Sequence, residues 1–103
     1  VSSTLESTSS TNSSGFWVVT RSSDILETLY RNGSSFGTGS GASNAPDNYN
    51  IYVFAENQDG TAGAFSAHQL SAAYIGGGLN STEVGNLSTR IKTYMTAYGV
   101  NVY

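Results

Sequence analysis

At 103 residues the chain makes one domain at most and can bury only a modest core. Charged residues are 11% of the total, the net charge is −3, and the basic residues are only Arg21, Arg31, Arg90 and Lys92, so a basic stripe for nucleic acid is excluded. Cysteine is absent, which excludes disulfide staples and thiolate zinc sites, and no apolar run is long enough to span a bilayer.

Ser, Thr, Asn and Gly fill most polar positions and Tyr numbers 7. That balance suits an all-β extracellular or virion-type surface better than a cytosolic enzyme. The chain begins at Val1 rather than Met and carries no signal peptide, as expected of a processed product or a piece of something longer.

Residues 1–15 are a Ser/Thr-rich arm or polar edge strand, with Val1 and Leu5 its only large apolar side chains. FWVVT at 16–20 is aromatic and β-branched and reads as a strand. Arg21 to Asp24 is a turn cluster, and Ile25 to Arg31 is the next strand. Asn32-Gly33 signals a tight hairpin, because a type I′ turn needs positive φ at both central residues. A short returning strand covers Ser34 to Thr38, and the glycine-rich run 37–48 is a long loop in which Pro46 fixes φ.

Tyr49 to Ala55 has apolar bulk on both faces and reads as a central strand. Asn57-Gln58-Asp59-Gly60 is a second turn, and His68 to Ile75 is the last strand. The helix is predicted over 81–98, with Val84, Leu87, Ile91, Tyr94 or Met95, and Tyr98 on one face. Asn80 with Glu83 forms its capping box, Gly99 stops it, and Arg90 and Lys92 suit its C-terminal dipole. The expected total is about six strands and one C-terminal helix.

Three patterns in register resemble one family. Tyr30-Arg31-Asn32-Gly33 looks like the hairpin of laminin-G-like, concanavalin A-like lectin (jelly-roll) domains. IYVFAEN at 51–57 resembles their central strand after the long loop. AYIG at 73–76 followed by GLNSTE at 78–83 resembles their closing strand and helix start. The match covers residues 16–103 and corresponds to the C-terminal portion of such domains, of the kind found in bacteriophage and bacterial surface proteins. The resemblance implies a mainly β fold: an abbreviated, jelly-roll-like antiparallel β-sandwich with one C-terminal α-helix. Family members have several strands ahead of the first pattern matched here. The remaining strands then come from another chain or from residues ahead of Val1, or the sandwich is shortened.

An enzyme is not expected. His68 is the only His, no nucleophile elbow occurs, and paired carboxylates spaced for glycoside hydrolysis are absent. Glu83 is explained as a cap, Glu56 and Asp59 are separated by a turn, and Asp24 and Glu27 straddle a strand start. A glycoside hydrolase fragment is therefore a remote alternative. Asp47 and Asp59 are the candidate calcium ligands, but turn formation accounts for them, so no cofactor is expected.

The candidate carbohydrate contacts are Trp17, Asn44, Asn48, Tyr49, Tyr52, Asn57 and His68, because sugar recognition uses exposed aromatic faces beside amides. Core packing is the competing role for Trp17. Sequons at Asn12, Asn32, Asn80 and Asn86 are what so Ser/Thr-rich a chain produces by chance. Two functions follow. One is a non-catalytic binding module that contacts a glycan or cell-surface receptor, outside the cell or on a virion. The other is a structural assembly domain of a virion or filament, touching other subunits or further domains and no sugar. In either case the chain is expected to be part of an oligomer or of a longer polypeptide, with no membrane span and no nucleic acid.

Overall fold

A computed structural model describes residues 10–45 and 47–100; the arm residues 1–9 and Pro46 of the expectations above lie outside that range. The order of elements is β1 (Trp17–Ser23), β2 (Leu26–Arg31), β3 (Ser34–Gly39), β4 (Glu56–Gln58), β5 (Thr61–Gly63) and α1 (Ser81–Ala97). All strand pairs are antiparallel, in a 3-stranded sheet ordered β1-β2-β3 and a 2-stranded sheet β4-β5. The described residues divide into two compact units, one formed by those up to Asn44 together with those from Gly78, the other by those of 45–77.

In the first unit the β2–β3 turn is made as the Asn-Gly pair demands. Asn32 has φ 53° and Gly33 φ 84°, so both central residues are left-handed. Val18 faces Tyr30 and Thr20 faces Thr28 across β1 and β2, which places these four on one side of the sheet. Thr20, Thr28 and Tyr30 are buried there. The opposite side carries Trp17, Val19, Leu29 and Arg31. Phe36 is the extra residue of a bulge in β3, since Leu29 pairs with Gly37 and Tyr30 with Ser35.

The helix keeps its predicted ends. Asn80 accepts from the Glu83 N–H while Glu83 accepts from the Asn80 N–H, so the capping box is complete. At the other end Gly99 has φ 73°, its N–H donates to the Thr96 carbonyl, and the Val100 N–H donates to the Met95 carbonyl. That is the paired closure that a C-terminal glycine permits.

Val84 is the fully buried residue of the helix at 0% exposure; Ser88 is also buried, and Leu87, Ile91 and Met95 are half-buried. Of the pair Tyr94 or Met95 it is Met95 that turns inward, Tyr94 being 59% exposed, and Tyr98, expected on the packed face, is 71% exposed. The buried stripe runs through Ser88 instead, because small side chains let the helix approach the hairpin closely. A Cβ on Gly33 would stand only 3.1 Å from the Ser88 Cβ and 3.6 Å from the Gly85 Cα. Ahead of the helix, Thr20 ties the chain to the sheet: its hydroxyl accepts from Leu79 N–H at 2.7 Å and donates to Leu79 carbonyl at 2.9 Å.

In the second unit the Asn57–Gly60 turn joins β4 to β5, with Asp59 at φ 49° and Gly60 at φ 89°. The strands expected at Tyr49–Ala55 and His68–Ile75 are not formed. Strand propensity records how well a side chain fits a half-buried pleated surface, and it needs such a surface to act on. Phe54 also lies at φ 65°, a conformation that ends an extended run in a bulky residue. Among the described residues the secondary structure is thus antiparallel sheets and one helix.

Candidate functional site

Trp17 is half-buried at the start of β1, and its surroundings explain why. Its ring meets Phe36 edge-on at 5.0 Å between centroids, and the Arg31 guanidinium lies 5.1 Å from the ring centroid. The indole N–H donates to the Ser13 carbonyl at 2.9 Å. Arg31 also donates through Nε and Nη2 to the Ser14 carbonyl, at 3.1 and 2.8 Å. The Asn32 side chain accepts from the Phe16 N–H at 2.9 Å. Three side chains of the hairpin and β1 therefore fasten residues 13–16, and residues 10–15 form no strand. The second sugar candidate of this unit, Asn44, is exposed in the loop after β3.

The other candidates belong to the second unit. Tyr49, Tyr52 and Asn57 converge on Gly60. The Tyr49 ring packs where a Gly60 Cβ would stand, 3.3 Å away. The Tyr52 hydroxyl donates to the Gly60 carbonyl at 3.0 Å, and the Asn57 side chain accepts from the Gly60 N–H at 2.6 Å. The Asn57 amide donates to the Asn50 carbonyl at 2.5 Å. These groups build the turn first and offer a partner what remains: the exposed Tyr49 ring and the exposed Asn48 side chain.

His68 shares a 2.6 Å hydrogen bond with Ser66 Oγ, and the His68 N–H donates to the same oxygen. Both residues are exposed, and the pattern is that of a serine turn between near neighbours. Asp47 and Asp59 are exposed. Among the described residues no three His, Asp or Glu side chains are grouped to hold a metal ion. Asn32 and Asn80 of the sequons have their side-chain oxygens occupied in the hairpin and the helix cap.

A feature that residue-type reasoning missed dominates the second unit. Tyr49, Ile51, Val53, Phe54, Phe65, Leu70, Tyr74 and Ile75 are all exposed, Phe65 by 77% and Ile51 by 70%. None of the described residues of this unit is buried. The available signal was the apolar bulk on both faces of residues 49–55, which the strand reading assigned to a core.

No protein-family model matches this chain, and no curated protein and no solved structure matches it.

Proposed function

We propose that this chain is a non-catalytic assembly module, at an extracellular or virion surface, whose segment 45–77 packs against further polypeptide in a multimer. The observation that carries this reading is the exposure of eight large apolar side chains in a unit where no described residue is buried. Monomeric domains rarely leave contiguous apolar surface beyond a few hundred Å² open to water. Residues 49–55 and 68–75 have the side chains of strands and no strand partner among the described residues. A neighbouring molecule supplies the burial that the apolar side chains of these runs lack. In this reading the packing of 45–77 is completed by assembly. Hydrogen exchange at increasing protein concentration tests it. The amides of 49–55 and 68–75 should slow as the concentration rises. Fast exchange independent of concentration contradicts the reading.

A glycan or receptor contact is the second reading, favoured by the exposed Tyr49 ring beside Asn48 and by the Tyr52 and Asn57 side chains gathered at Gly60. A glycan array with the wild type and Tyr49→Ala separates the two: loss of a specific signal in the variant supports sugar recognition, and a blank array removes it.

A further inference from the structure

Asp47, Glu56 and Asp59 are the only acidic residues of 45–77, which has no Lys or Arg, so this segment alone carries the chain's net charge of −3. All three are exposed. Two copies meeting through the same segment would set these carboxylates against one another among apolar side chains, an arrangement that like-charge repulsion opposes. The surface that complements this one must be apolar and cationic.

The helix presents such a surface. Arg90, Tyr94 and Tyr98 recur at steps of four and form one ridge. All three are exposed, and the two tyrosine rings lie 4.9 Å apart. This ridge flanks the buried stripe without joining it, so its aromatic area contributes little to the fold of its own unit. Tyr and Arg are also the side chains most enriched where interfaces bind strongly.

We propose that the acidic, apolar segment 45–77 of one copy docks on the Arg90–Tyr94–Tyr98 ridge of another. The inference rests on the assembly reading and adds its polarity. The two surfaces differ, so the contact is head-to-tail and propagates as a filament or closes as a ring.

Charge reversal with complementation tests it by sedimentation velocity. One variant carries Arg90→Glu; the other carries Asp47→Lys and Glu56→Lys. These positions are exposed, and circular dichroism checks that each variant keeps its helix. Each variant alone should need about tenfold or more protein to associate, the effect of introducing like charges at a contact. An equimolar mixture should recover association, because each reversed surface then meets its complement. Association of the wild type that neither reversal changes overturns the pairing and leaves the assembly reading standing. A wild type that stays monomeric at every concentration overturns both.

Discussion

Gly33 concentrates two constraints in one residue. It holds φ 84°, and its missing Cβ is the space that Ser88 occupies. Gly33→Ala meets left-handed strain and overpacking together, so a destabilisation of about 2 kcal/mol or more is expected, read as a fall in Tm. Thr20 is the corresponding polar point. Thr20→Val removes both hydrogen bonds to Leu79 and leaves a backbone N–H and a carbonyl without that partner. Chemical denaturation should register a loss of about 1–3 kcal/mol. Neither effect was legible from the sequence. Asn-Gly announces the turn, but nothing in the chain order says that a helix some fifty residues on, by the spacing of Gly33 and Ser88, rests on it. Trp17 was similarly legible as an aromatic strand residue. Its indole contact with Ser13 and the Arg31 guanidinium beside its ring depend on the hairpin register, which residue types do not specify.

At the scale of elements, signals that act within a few residues were readable. The Asn32-Gly33 hairpin, the Asn57–Gly60 turn, and both ends of the helix follow from local backbone requirements and side-chain hydrogen bonds. The runs at 49–55 and 68–75 are not legible in this way, because their composition describes what they can pair with, and pairing needs a second strand. Within the helix the buried stripe is Val84, Ser88 and, more partially, Ile91 and Met95. Val84→Ala should therefore cost about 2 kcal/mol. Leu87→Ala and Ile91→Ala, half-buried, should cost less than the 2–5 kcal/mol typical of fully buried positions. Tyr94→Ala should leave the thermal melt within about 0.5 kcal/mol of wild type, as surface changes do. A melt series across these four variants checks the order; a larger loss at Tyr94 than at Val84 would contradict the packing.

At the scale of the whole molecule, Asn57 and Asp59 serve a turn, and the large apolar side chains of 45–77 stay exposed within their own unit. EDTA is expected to leave Tm unchanged, since Asp59 belongs to a turn and Asp47 stands exposed; a fall restored by calcium would point to these two first. The sugar candidates were legible only as residue types. Three of them gather at Gly60, while Trp17 and Asn44 belong to the other unit. The larger claim is that residues 45–77 complete their packing on another molecule. Its most direct test is sedimentation velocity of the full chain over a concentration series, beside a Phe65→Asp, Ile75→Asp double variant. The wild type should sediment faster as concentration rises, and the variant should remain a monomer with its helix signal intact. Identical monomeric behaviour of both proteins across the series would contradict the account.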